Sequence, residues 1–188
     1  QNTLDLAGDL CGMGETELAY KLLDGLCEKC AMAGYVLDDL ARKLNKAPAE
    51  NASLLPVGIA YPLRPFEIRA LQSALHRNPK DAKAQDLLAC VRYHMGSAEE
   101  AAALWEAAIR NDPGAYAPYR NLAAACYSCL NRREGALSLL KEALARHPHD
   151  QQIIWELAYL MMRMDTPSGE VLDFLEKECG SGDAREDI

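Results

Sequence analysis

This chain is poor in sheet-forming residues and has no long apolar run. It holds two phenylalanines and two tryptophans in 188 residues. β-Branched side chains are sparse, which argues against a sheet-rich fold. No apolar stretch approaches the ~20 residues needed to span a bilayer, and no basic segment leads into a hydrophobic one as in a secretory leader. A basic stripe is missing too. With 20 Lys and Arg against 28 Asp and Glu, the formal charge is −8, which disfavours nucleic acid and leaves room for a basic peptide or protein partner. No phosphate loop, nucleophile elbow, HisGluXXHis helix or paired-carboxylate constellation occurs. The expectation is a protein that is not an enzyme, with no cofactor, no catalytic residue and no metal.

Cysteine is present in an odd number, seven, so a complete set of internal disulfides is impossible. Cys11, Cys90 and Cys126 fall within apolar helical patterns, where a free cysteine behaves as a small buried hydrophobe. A reducing compartment follows, and the expected location is the cytoplasm. The chain opens at Gln1 without a methionine, which reads as a piece of a longer protein.

What the sequence has in abundance is alanine, leucine and a period. Pro79, Pro113 and Pro148 are separated by 34 and 35 residues, and each closes a similar phrase: AlaLeuHisArgAsnPro, AlaIleArgAsnAspPro and AlaLeuAlaArgHisPro. Between Ala82 and Gly114, Leu87, Leu88, Ala89 and Tyr93 precede a Gly96-Ser97 turn, and Ala101, Leu104, Trp105, Ala108 and Ile109 follow it. Returns at three and four residues put these side chains on one face of each of two helices. Small Ala89 and Ala101 sit where antiparallel helices cross at about 8–10 Å. Gly96 stops the first helix and Pro113 the second.

This pattern resembles the tetratricopeptide repeat, with Leu88-Ala89, Tyr93, Gly96, Ala101, Trp105, Ala108 and Pro113 filling the family's places in order. The family's first aromatic place falls on Arg92, beside Tyr93. A second unit (116–149) offers Leu122-Ala123, Tyr127, Ala136, Leu140, Ala143 and Pro148, with a longer turn that lacks glycine. A third (151–179) offers Leu157-Ala158, then Val171, Leu172, Phe174 and Leu175. In that unit Pro167 is expected in the first turn of the second helix, with Thr166 as its N-cap.

The resemblance implies an all-α fold, a right-handed α-solenoid of four to five antiparallel helix pairs. Residues 65–179 form the repeats, 1–46 an atypical N-terminal helical pair or pairs, 47–64 an insertion decorating one face, and 180–188 a polar tail. A broader likeness, carried by TyrProLeuArgProPheGluIle, LeuTrpGluAlaAlaIle, TyrArgAsnLeuAlaAlaAlaCysTyr and the closing ArgGluAspIle, is to the helical region of large bacterial multidomain proteins. Those have an N-terminal domain thought to be carbohydrate-related.

Such arrays bind partners with a concave face. Tyr93 and His94 from one repeat, Arg120, Asn121 and Tyr127 from the next, and Trp155, Tyr159 and Arg163 from the third are the expected partner groove, with Lys83, Asp86 and Cys90 on the same wall. Arg120 and Asn121 are placed to clamp a peptide backbone or carboxylate, with Arg163 adding a charge-assisted bond. The competing account of Tyr93, Tyr127 and Tyr159 is packing between repeats.

The expected partner is a protein or peptide, or another domain of the parent protein. The alternative is an accessory region that docks on a carbohydrate-active catalytic domain. Self-association through the ends of the stack is also open. Two CysXXCys spacings, Cys27/Cys30 and Cys126/Cys129, are disfavoured as a zinc site because they are some 95 residues apart and lie on helices rather than tight knuckles. His147-Pro-His149 reads as a solvated loop, and Met161, Met162 and Met164 read as packing in preference to an adaptable binding patch.

Overall fold

The three periodic prolines end three helices in the same way. In the computed structural model, which describes residues 2–25, 30–47, 52–56, 62 and 64–179, each proline follows a helix closed by one bond. Asn78 N–H donates to Ala74 O at 2.8 Å, Asp112 N–H to Ala108 O at 2.8 Å, and His147 N–H to Ala143 O at 2.9 Å. The residue before each proline is swung out of the helix, at φ −129°, −139° and −122°, because the proline ring crowds a helical predecessor.

The described residues form ten helices and no strand: α1 (Asn2–Gly12), α2 (Thr16–Asp24), α3 (Ala31–Lys43), α4 (Pro65–Arg77), α5 (Ala82–His94), α6 (Ala98–Asn111), α7 (Tyr116–Ser128), α8 (Arg133–Arg146), α9 (Gln151–Arg163) and α10 (Ser168–Cys179). They divide into two compact units, residues 1–113 and 114–188. Within each unit every helix packs on its neighbour in sequence, as expected of stacked hairpins.

Each hairpin with a short turn carries one left-handed residue there: Gly14 (φ 85°), Gly96 (84°), Asn131 (52°) and Asp165 (58°). Asn131 explains how the second repeat manages without glycine, since Asn and Asp tolerate this conformation through local hydrogen bonding. α10 begins one residue later than expected. Pro167 stands ahead of Ser168, and its carbonyl accepts from Glu170 and Val171 N–H at 2.9 and 3.2 Å.

In the first unit the repeat positions are core. Ala89, Ala101 and Ala108 are fully covered, and Trp105, only 2 % exposed, fills the space between α5 and α6. Its indole N–H donates to Asp86 at 2.9 Å, and its ring meets Tyr93 at 5.7 Å between centroids. Asp86 is thus buried beneath Trp105, not displayed on an inner wall. The indole holds that carboxylate inside, where burial without partners is costly.

A second buried carboxylate, Asp81, joins α3 to α5. It accepts from Tyr35 Oη at 2.8 and 3.0 Å on its two oxygens and from Ala84 N–H at 3.0 Å, capping α5. Burial, with the charge of Asp81 added, pushes the Tyr35 phenol well above its ordinary range, so it stays a donor.

The interrupted region does more than decorate a face. Residues 52–54 form a 3-10 turn packed on α3. A Cβ on Gly34 would lie 3.0 Å from Ala52 Cβ, so a larger residue there would push the turn off α3 by a few tenths of an ångström. Ala31 N–H donates to Pro56 O at 2.9 Å, and Lys83 Nζ donates to Leu55 O. The rest of the expected insertion (48–51, 57–61 and 63) and the tail at 180–188 lie outside the described residues. Among those described, no helix is long and apolar enough to cross a membrane.

In the second unit the same positions are buried again: Leu122, Ala123, Ala136, Leu140, Ala143, Leu157 and Ala158. Tyr119, fully covered, underlies the Arg146 guanidinium at 5.4 Å.

Candidate functional site

A groove of about 510 Å³ runs between α7 and α9 of the second unit. Its apolar lining comes from Ala123 and Ala124 of α7, Leu140 of α8 and Leu160 of α9. Alanine at 123 and 124 leaves room that a larger side chain would fill. Six residues expected to face a partner line this groove: Arg120, Asn121, Tyr127, Trp155, Tyr159 and Arg163. Tyr93 and His94 belong to the first unit and are not among its lining residues. Tyr93 is half-buried against Trp105, and His94 is exposed at the end of α5.

α9 supplies an aromatic shelf. Trp155 and Tyr159 are one helical turn apart, and their rings stack at 5.5 Å with an interplanar angle of 10°. They remain 64 % and 48 % exposed, and Met162 beyond them is 57 % exposed. Helical i, i+4 spacing stacks the rings, but nothing in the described fold covers their outer faces. Trp155, Tyr159 and Met162 together leave an exposed apolar patch on α9.

Tyr127 sits opposite on α7. Its hydroxyl donates to Arg163 O at 3.4 Å, and the Arg133 guanidinium lies 5.7 Å from its ring centroid. The Arg163 side chain also hydrogen-bonds Tyr127, which holds its pKa above the ordinary arginine value and keeps it charged.

Glu156, which sequence reasoning missed, organises the polar side. Tyr116 Oη donates to its Oε2 at 2.5 Å, the Arg120 Nε donates to its Oε1, and Gln152 Nε2 reaches the same oxygen at 3.3 Å. Burial and this carboxylate push the Tyr116 phenol above its ordinary range. Arg120 is therefore already paired inside the protein, not waiting for a carboxylate from outside. The available signal was one acidic residue between Trp155 and Tyr159 on a helix otherwise rich in apolar side chains.

Cys11, Cys30, Cys90, Cys126, Cys129 and Cys179 are outside any disulfide, Cys27 lies outside the described residues, and no His/Cys/Asp/Glu group among those described is placed to hold a metal. Burial, reinforced by the Asp86 charge, pushes Cys90 from 9.0 up to about 12. Alkylation needs the thiolate, so at pH 8 iodoacetamide is expected to modify exposed Cys129 and Cys179 first. Cys90 should react on the order of a hundredfold more slowly, as peptide mass mapping over time would show. Equal rates would contradict the buried placement.

The fold is all-α, built of stacked helix pairs like those of tetratricopeptide-repeat proteins. It is similar to the crystal structure of MamA, with a TM-score of 0.57 and 13% identity over 99% of this chain and 95% of that one. It is likewise similar to TTC0263, a thermophilic TPR protein of Thermus thermophilus, at TM-score 0.53 and 21% identity over 100% and 92%. A MamA fragment from Desulfovibrio magneticus RS-1 matches at TM-score 0.56 and 13% identity over 98% and 96%. No protein-family model matches the chain, and no curated protein sequence does.

Proposed function

We infer that this chain is a protein- or peptide-binding module and that the α7–α9 groove of its second unit receives the partner. The observation that carries this reading is the Trp155–Tyr159 shelf, stacked yet uncovered, beside an open groove floored by alanine. Aromatic and arginine side chains dominate the energetics of protein interfaces, and this groove concentrates both. The tetratricopeptide-type fold supports the reading, because stacked helix pairs create extended binding surfaces. Tyr93 and His94 remain candidates for a separate contact on the first unit. The alternative, an accessory region docked on a carbohydrate-active catalytic domain, draws no support from the comparisons.

Ala124 offers the direct test, being exposed within the groove. Ala124→Trp should fill the groove while leaving the helical circular dichroism spectrum and melting temperature unchanged. Affinity purification should then lose every partner that needs the groove, by tenfold or more in recovered amount. Undiminished recovery of all partners by the filled variant would remove the groove assignment.

A further inference from the structure

We propose that Cys126 and Cys129 form a reversible dithiol–disulfide pair at the end of α7, and that its closure moves the α7 wall of the groove. That movement is a property of the wall, whatever the groove receives.

The spacing puts both thiols on one helical turn. Cys126 lies within α7, and Cys129 is the first residue beyond it. Neither is in a disulfide. On an α-helix of radius ~2.3 Å that rises ~1.5 Å per residue, Cα atoms three positions apart are about 5 Å from each other. That falls inside the ~4.4–6.8 Å that a disulfide spans. The Cβ atoms start at about 5–6 Å and must close by roughly 1–2 Å. Cys129 is where the backbone can give. Its φ of −120° has left helical geometry, and the N–H groups of Cys129 and Leu130 both donate to Ala125 O at 3.0 Å, which ends the helix there.

Exposure divides the roles. Cys129 is exposed, with Sγ 3.5 Å from Ser128 Oγ, whereas Cys126 is 5 % exposed. An oxidant therefore meets Cys129 first. The Cys129 thiolate attacks one sulfur of a small disulfide such as glutathione disulfide and releases one glutathione. Cys126 then gives up its proton and attacks Cys129 Sγ, which releases the second. Two protein thiols are oxidised, and one disulfide is reduced to two thiols.

A bond that needs the last turn to tighten is strained, and strained disulfides are the labile, regulatory kind. An excess of thiol reopens it. The two residues between the cysteines, Tyr127 and Ser128, both line the groove. Ser128 Oγ donates to Ala124 O at 2.6 Å, and Tyr127 Oη donates to Arg163 O on α9 at 3.4 Å. Tightening the turn rotates both side chains. The Tyr127 contact, already longer than an ordinary hydrogen bond, is the first to break.

The test equilibrates the whole chain with excess glutathione disulfide, blocks remaining thiols with N-ethylmaleimide and digests with trypsin. Cleavage after Arg120 and Arg132 releases one peptide, Asn121–Arg132, that carries both cysteines and no other. It should appear mainly without maleimide and two hydrogens lighter than the dithiol, and dithiothreitol should restore both reactive thiols. Cys129→Ser, at an exposed position, should keep the helical circular dichroism spectrum and yield no such species. In proton–nitrogen NMR spectra, oxidation should shift the indole N–H of Trp155, which lines the same groove, and leave that of buried Trp105 in place.

A glutathione adduct on Cys129 as the sole product overturns the pairing. An internal disulfide that leaves the Trp155 resonance unmoved, or a Trp155 shift that persists in Cys129→Ser, overturns its coupling to the groove wall.

Discussion

Replacing Trp105 with alanine is expected to cost about 4 kcal/mol, the largest effect of any single substitution in the first unit. The indole is 2 % exposed and fills the α5–α6 crossing, where flanking Ala89, Ala101 and Ala108 have no side chain able to collapse into the gap. The cost has two parts: a cavity the size of the largest side chain, and a buried Asp86 carboxylate deprived of its indole donor. Trp105→Phe separates them. It restores much of the volume but not the donor, so it should recover roughly half of the loss. Urea unfolding followed by circular dichroism measures both. If Trp105→Phe is as stable as wild type, the Asp86 hydrogen bond contributes nothing and the account of that buried carboxylate is wrong.

Asp81→Ala should be the next most damaging change, by about 3 kcal/mol. It removes the α5 N-cap, worth about 1 kcal/mol, and strands the buried Tyr35 hydroxyl, at about 1–3 kcal/mol. The two effects are separable because Tyr35→Phe removes the hydroxyl that would be stranded. The double variant should therefore be less destabilised than the sum of the singles by about 1–2 kcal/mol. Strict additivity in denaturant titrations would show that the two groups do not interact in solution. Among the described residues few other side-chain links tie α3 to the start of α5, so the loss should fall on the whole first unit rather than on a frayed end.

The hairpins were legible because their physics is local and repeated. Pro113 ends α6, Gly96 ends α5, and alanines at crossing points appear in the chain order the fold needs. The atypical N-terminal region expected over residues 1–46 holds α1, α2 and α3 among the described residues. What escaped was set by partners distant in sequence. Asp86 occupies a helix position that faces outward by periodicity alone, yet Trp105, 19 residues on, draws it inside. The segment around Ala52 looks like a loop insertion, and only the bare backbone of Gly34 shows that it packs onto α3.

The candidate groove was readable in part. Position along the repeat picks out Arg120, Asn121, Tyr127, Trp155, Tyr159 and Arg163, because first helices of successive pairs are neighbours. It cannot tell a ligand-seeking arginine from one already satisfied. Arg120 looks the same in sequence either way, and its pairing with Glu156 depends on the lateral spacing of α7 and α9.

That pairing has a kinetic corollary. Because one carboxylate on α9 grips a phenol and a guanidinium from α7, the two walls are braced before any guest arrives. A braced cleft demands little rearrangement on encounter, so association should run near the rate set by diffusion and orientation. Differences between guests should then show up chiefly in how long each one stays.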